Sequence, residues 1–328
     1  MDFVLAQCNE YFLDKVWAAL VPLSAFVSSP EAYETLNATS LVPSKYLQLV
    51  STLPHPPLPE SLTAIQATTI SAWPRDYMPR QLLSVFVITL IGIHVLYFSA
   101  AWFSYTCIFN HDIMRHPKFL KDQVKLEIMC SIKAFPVMTI LTLPWFEAEI
   151  LGYSKLYDGP DTYGWPYFFF SILLYLLFTD FGIYWAHRWL HWPTVYKLLH
   201  KPHHKWIIPT PFASHAFHPV DGYLQSVPYH LFIFVFPMHR LLYLSMFGFV
   251  NFWSILIHDS DMITGHPLEK IINGPAHHTL HHMYFTVNFG QYFTWADRTG
   301  NSYRQPLASD DPLVEVYRLD KLKGAKTE

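Results

Sequence analysis

Charge is what this sequence has least of. Only 14% of its 328 residues are Asp, Glu, Lys or Arg, against about 25% in an average soluble protein. With 52% hydrophobic residues it is the opposite of a disordered or linker-dominated chain, which needs low hydrophobicity and high charge. It also lacks a basic excess: 22 Lys+Arg against 25 Asp+Glu leave a formal charge of −3, which argues against a nucleic-acid partner. Cysteine is scarce. Cys8, Cys107 and Cys130 share no close spacing, so neither a disulfide framework nor a cysteine metal site is indicated. Histidine is the one polar residue in excess: of 19, fifteen lie in the 96 residues from His187 to His282.

The missing charge is missing in blocks. Leu82 to Phe109 runs 28 residues without a charged side chain, longer than the roughly 20 residues that cross a hydrocarbon core. A second span is predicted from about Glu127 to Trp145, kinked by Pro136 and Pro144, and a third from Trp165 to Trp185, apolar except for Asp180. A fourth stretch, Tyr229 to Ile257, is broken at Pro237-Met238-His239-Arg240. No amino-terminal signal peptide is evident, because Asp14 and Lys15 interrupt the apolar residues from Tyr11 to Val27. Those residues suit a helix lying in the interface. Residues 52–62 hold four prolines and read as a connector.

Basic residues set the orientation. Arg115, Lys118, Lys121 and Lys125 follow the first span, only Lys155 follows the second, and Arg188, Lys197, Lys201 and Lys205 follow the third. Loops one and three are therefore expected in the cytoplasm and the amino terminus across the membrane, where the sequon Asn37-Ala38-Thr39 would fit. A single crossing by the fourth stretch would put the later histidines on the opposite face from the earlier ones. A hairpin, shallow or beginning earlier near Val220, keeps them together.

The histidines repeat one spacing. His187-Arg188-Trp189-Leu190-His191 sets two imidazoles one helical turn apart. His200-Lys201-Pro202-His203-His204 and His278-Thr279-Leu280-His281-His282 each set three at i, i+3 and i+4, one stripe of a helix. Pro202 suits a first helical turn, which predicts a helix start there. Eight neutral imidazoles suit iron, copper or zinc. One tetrahedral zinc takes four ligands, so eight imply two ions. His258, at the end of the last apolar arm, is a candidate ninth ligand. His215 and His218, in the loop ASHAFHPVDG, are candidates for ligation, substrate contact or loop support. His277 points off the third stripe and is expected behind the ligands. Asp180 lies seven residues before His187; it is expected either to accept the outer N–H of a ligand ring or to reach the interface as a helix-end carboxylate. His230, His239 and His266 have no partner spacing.

HRWLH, HKPHH and HTLHH, in this order around membrane spans, resemble the fatty acid hydroxylase superfamily. Over about residues 165–306 the longer strings HRWLHWPTVYKLLHKPHHKW, PFASHAFHPVDGYLQS, NFWSILIHD and INGPAHHTLHHMYFTVNFGQYFTWADRTGNSYRQP are similar to the sterol C-5 desaturase family. One departure is visible: where members read Leu-Trp-Asp-Arg before Gly-Gly-Ser, this chain reads Trp295-Ala296-Asp297-Arg298 before Gly300-Asn301-Ser302. A shifted aromatic contact and an altered turn are expected there.

The resemblance implies an all-α integral membrane protein with about four transmembrane helices and a cytoplasmic helical cap around a histidine-rich di-metal site. It divides the chain into a lumenal or interfacial region (1–80), a catalytic domain (81–306) and a cytoplasmic tail (307–328). It implies two iron ions, replaceable by zinc in recombinant protein, with O2 as co-substrate and electrons from NAD(P)H through cytochrome b5 and its reductase. The substrate would be a Δ7-sterol, desaturated at C-5(6) in the endoplasmic reticulum membrane on the way to ergosterol-type sterols. The cytoplasmic basic residues would either steer an acidic electron donor or serve only the orientation bias. A C-4 sterol methyl oxidase or lipid hydroxylase shares the histidine motifs. A metal transporter is the rival from another class, but the chain has no internal repeat of the kind transporters carry.

Overall fold

A computed structural model describes residues 1–25 and 70–324; the Asn37 sequon and the proline-rich connector lie outside the described residues. The helices of interest are α1 (Asp2–Cys8), α2 (Asp14–Leu20), α3 (Met78–Cys107), α4 (Gln123–Ile150), α5 (Gly164–Leu190), α6 (Pro219–Val235), α7 (Arg240–Ile257), α8 (Pro275–Tyr284), α9 (Trp295–Thr299) and α10 (Pro312–Gly324). Four of them, α3, α4, α5 and α7, are long and apolar enough to cross a membrane. This is a multi-pass, all-α membrane protein.

The outward faces say the same. On α5, Trp165, Phe169, Leu173, Leu177, Phe181, Trp185 and Trp189 recur every fourth residue and all are exposed. On α3, Leu83, Val87, Ile91 and Val95 do likewise. Residues four apart share one helix face, so each set is a continuous apolar stripe. Water makes such a stripe costly over this length, and lipid does not.

The chain forms two compact units, Met1–Leu90 with Thr142–Ser154 and Ile91–Leu141 with Lys155–Glu328. In the first, Leu5, Leu13, Trp17, Val85 and Phe146 form a core. Trp17 Nε1 donates to Ser84 Oγ at 2.9 Å. The buried Arg80 guanidinium pairs with Asp14 and donates to the Trp73 carbonyl at 2.7 Å, so its charge is neutralised where water cannot do it. Tyr11, Phe12, Val16 and Leu20 are exposed along the amino-terminal helices, the pattern of an interfacial segment.

In the second unit α5, α6 and α7 share a core that includes Tyr175, Ile183, Phe232, Ile233, Met246 and Val250. The expected hairpin is α6 and α7. The chain leaves helical geometry at Phe236 (φ −119, ψ 141), directly before Pro237, whose ring disfavours the helical region for its predecessor. The first arm begins at Pro219, the earlier of the two starting points considered, and each arm is about 26 Å long. At one end Met238 and His239 pair in parallel with Leu156 and Tyr157, just ahead of α5. At the other, Asp221 on α6 meets His200, and His258 at the end of α7 meets His203. Both arms thus run between the same two ends, and every histidine cluster lies at one of them. The carboxyl-terminal α10 packs at that end too, through Glu315 to His116 (3.1 Å) and Asp320 to Arg115 (2.7 Å).

The crossing of α5 and α6 depends on the absence of a side chain at Gly182, where a Cβ would stand 2.7 Å from Pro228 Cγ. Gly248 on α7 has nothing within 4 Å of its would-be Cβ. Gly182→Val is expected to destabilise the protein by about 1–3 kcal/mol through overpacking, whereas Gly248→Ala leaves it unchanged or raises it slightly. Thermal unfolding of the two variants in one detergent checks both.

Candidate metal centre

The three histidine motifs sit on three different kinds of backbone. His187 is in the last turn of α5 and His191 caps it. The second motif follows a π-helical turn, Tyr196–His200, closed by the Lys201 N–H on the Tyr196 carbonyl at 2.8 Å, and continues in a 3-10 turn, His203–Lys205. The helix start expected at Pro202 is this short 3-10 turn, which Pro202 caps. His278, His281 and His282 lie on α8.

These segments converge into two groups. His187, His191, His200, His204 and His281 form one, and His203, His258, His278 and His282 the other; within each group the ligand-capable nitrogens lie within 4.8 Å of one another. The spacing assigns the members. In each triplet the i and i+4 residues share a group and the i+3 residue joins the other, so His200 and His204 go with His187, but His203 does not. Each triplet thereby belongs to both groups.

The outer nitrogens show which way the rings are protonated. His187 Nδ1 donates to the Phe289 carbonyl (3.0 Å), His281 to Val287 (2.8 Å), His282 to Trp206 (2.8 Å) and His258 to Ser254 (2.6 Å). His200 Nδ1 donates to Asp221 Oδ2 at 2.7 Å. All five partners can only accept, so the single N–H of each neutral ring is on Nδ1 and Nε2 is a bare lone pair. Burial, with repulsion from neighbouring rings, holds His203, His204, His278, His281 and His282 well below the usual histidine range, and burial pushes His258 down to about 3. At neutral pH these six rings are uncharged.

Its inward nitrogens nevertheless crowd together. Nε2–Nε2 distances are 3.2 Å for His187–His200, 3.1 Å for His204–His281, 3.0 Å for His258–His278 and 3.2 Å for His278–His282. With both rings neutral, His187 and His200 turn lone pairs toward each other, so no hydrogen bond joins them and the contact is repulsive. A cation between them reverses the sign. Nitrogens about 2.0–2.1 Å from one ion, at tetrahedral to octahedral angles, stand about 2.8–3.4 Å apart. The separations, the all-nitrogen donor set and the outward N–H bonds all fit metal ions.

Two buried carboxylates hold the loop that carries the Phe289 carbonyl. Asp297 accepts from the Phe289 and Gly290 N–H groups (2.8 Å each) and from Ser302 Oγ (2.7 Å). Asp180 Oδ1 accepts from the N–H groups of Gln291 (3.1 Å), Tyr292 (2.7 Å) and Phe293 (3.3 Å). Asp180 thus neither touches an imidazole nor reaches the interface; its charge is met by a backbone turn. Asp221, not among the sequence candidates, makes the ring contact expected of Asp180; its one signal is that it is the only Asp or Glu between Asp180 and Asp259.

Other sequence candidates lie outside both groups. His218 caps α6, its Nδ1 accepting from the Val220 N–H at 3.2 Å. His215 is buried against Asn251 and Ser214. His277 is buried near Tyr303, at 5.8 Å between ring centroids. At the sequence departure, Trp295 stacks on Phe181 (5.8 Å, 11°). Asn301 has φ +57, the left-handed region that asparagine tolerates best after glycine, so the turn survives. Gly300 cannot change in the same way, because a Cβ there would strike the Tyr184 hydroxyl.

A histidine-rich metal site at one end of a helical membrane bundle defines a class, and the comparisons agree with it: residues 172–302 match the fatty acid hydroxylase family model. The chain is 53% identical to a Delta(7)-sterol 5(6)-desaturase of Gibberella zeae over 77% of its length and 79% of the relative's. It is 55% identical to a Delta(7)-sterol 5(6)-desaturase of Schizosaccharomyces pombe (71% and 76%) and 52% identical to human lathosterol oxidase (78% and 87%). The chain belongs to the sterol C-5 desaturase family. No solved structure matches it.

Asp221→Asn keeps the volume but weakens the acceptor behind His200, and is expected to lower metal affinity about 10- to 100-fold. Titration with a competing chelator measures it. His203→Ala and His281→Ala, each removing one member of a different group, are expected to lower metal content from about two ions per chain toward one without loss of membrane insertion, as read by elemental analysis and protease protection.

Proposed function

We propose that the protein is a sterol C-5(6) desaturase, converting a Δ7-sterol to the Δ5,7-diene in ergosterol-type sterol biosynthesis. The reaction removes one hydrogen each from C-5 and C-6 while O2, two electrons and two protons become two waters. Support comes from one conjunction: the paired imidazole groups occur in a chain more than 50% identical to named Δ7-sterol 5(6)-desaturases and to lathosterol oxidase.

In this reading His187, His191, His200, His204 and His281 hold one iron, and His203, His258, His278 and His282 the second. Zinc would fit the same nitrogens in recombinant protein. The iron pair contributes what side chains cannot, activation of O2 for removal of unactivated C–H hydrogens. The chain's own residues do the rest. Asp221 and the carbonyls of Phe289, Val287, Trp206 and Ser254 orient the rings. Phe289, whose ring centroid lies 5.0–5.5 Å from those of His191, His281 and His187, excludes water from that side. Asp180 and Asp297 keep its loop in place.

Electrons would come from NAD(P)H through cytochrome b5 and its reductase. Lys118, Lys121, Lys197, Lys201 and Lys205 lie in the two segments bordering the histidine end, where Gln123 Nε2 donates to the Ile208 carbonyl at 2.8 Å. Lys155 is at the opposite end, beside the strand pair. The basic bias therefore supports an endoplasmic reticulum orientation with the histidine end, within a catalytic region of residues 81–306, facing the cytoplasm.

Purified protein given a Δ7-sterol, NADH, O2, cytochrome b5 and its reductase is expected to form the conjugated diene, seen by its ultraviolet absorption. A hydroxylated or C-4-oxidised sterol with no diene would instead point to another oxygenase of the superfamily.

A further inference from the structure

Asn251 is the one amide side chain on α7, a helix otherwise almost wholly apolar. A polar group within a membrane span is costly unless it is paired, and such residues mark functional positions. Asn251 is only partly paired. Its Oδ1 faces His215 Nε2 at 3.2 Å and its Nδ2 donates to the Phe247 carbonyl at 2.8 Å. An amide has two lone pairs on oxygen and two N–H bonds, so one of each is left over. Those two groups match a hydroxyl, which gives one hydrogen and accepts another.

His215 fixes the amide. Its ring is buried, with centroids 5.3 Å from Tyr97 and 5.9 Å from Phe135. Burial pushes its pKa down to about 4, so it is neutral. Asn251 Oδ1 can only accept, which puts the proton of His215 on Nε2. The pair adjoins the metal groups on two sides. Asn251 lies seven residues before His258, on the same face of α7 and about 10 Å along the axis. Phe217 contacts both His215 and His203, at 6.0 Å from each ring.

Resting on the desaturase reading, we propose that Asn251 binds the 3-hydroxyl of the sterol and that His215 is the positioning residue that orients its amide. In a sterol, C-3 is separated from C-5 by a single carbon. A group that holds the 3-hydroxyl must therefore stand close to the metal groups, and Asn251 stands two helical turns from His258 on the same face of α7. The rings packed around His215, those of Tyr97, Phe135 and Phe217, suit the apolar ring edge.

Equilibrium binding in nanodiscs tests this without turnover, using a Δ7-sterol, its 3-deoxy analogue and its 3-methyl ether. The wild type is expected to bind the hydroxylated sterol about tenfold more tightly than the 3-deoxy analogue, the effect of about two neutral hydrogen bonds. Asn251→Leu is expected to erase that preference while leaving 3-deoxy affinity and metal content unchanged, and His215→Phe to reduce it. Preference retained in Asn251→Leu, or equal weakening toward both sterols, overturns the assignment. The methyl ether reads the wild type alone: it cannot donate to Oδ1, so binding as tight as the free hydroxyl also overturns it. Equal wild-type binding of hydroxylated and deoxy sterols overturns the assignment alone, whereas binding of none of the three overturns the desaturase reading with it.

Discussion

Repulsion between bare imidazole nitrogens is the constraint around which this protein is organised. His187 and His200 each have their only proton engaged outward, and their inner nitrogens still stand 3.2 Å apart. Nothing in the neutral chain makes that contact favourable; positive charge between the rings does. The surrounding fold supplies acceptors that keep five of the nine rings turned inward. Four of the identified acceptors are main-chain carbonyls and one is a buried carboxylate. Behind them, Asp180 and Asp297 spend their charge on backbone N–H groups, which fixes the loop carrying the Phe289 carbonyl without adding a competing oxygen to the site.

The membrane architecture serves the same end. A hairpin of α6 and α7, returned at Pro237 and tied by the Met238–Leu156 pairing, lets Asp221 and His258 enter the site from two arms of one excursion. Apolar stripes on α3 and α5 face outward, leaving polar chemistry to a single end of the bundle. The low charge of the chain and its histidine excess are thus two sides of one division of labour. Spans need side chains without charge, and a cage for metal needs neutral nitrogen.

Much of this was legible in the sequence, because it is periodic. Uncharged runs marked the spans, the break at Pro237 marked the hairpin, and the i, i+3, i+4 spacing marked the histidines that converge. What the sequence hid was whatever depends on the main chain. The carbonyls of Phe289, Val287, Trp206 and Ser254 have no residue signature. The π turn at Tyr196–His200 is not readable from a pattern of 3.6. Asp180 looked like a partner for a ring because it shares a stripe with His187. Three backbone N–H groups from a distant loop met its charge first. Asp221 was visible as the only carboxylate in its stretch, but its place in sequence gives no hint that a loop folds it under His200.

X-ray absorption at the metal edge of the purified, iron-loaded protein tests the central claim most directly. Nine imidazoles shared between two ions predict a first shell dominated by nitrogen, four to five per ion on average, with the outer-ring scattering of histidine. A shell dominated by carboxylate oxygen or by sulfur, or one holding only one or two imidazoles per ion, would contradict the account.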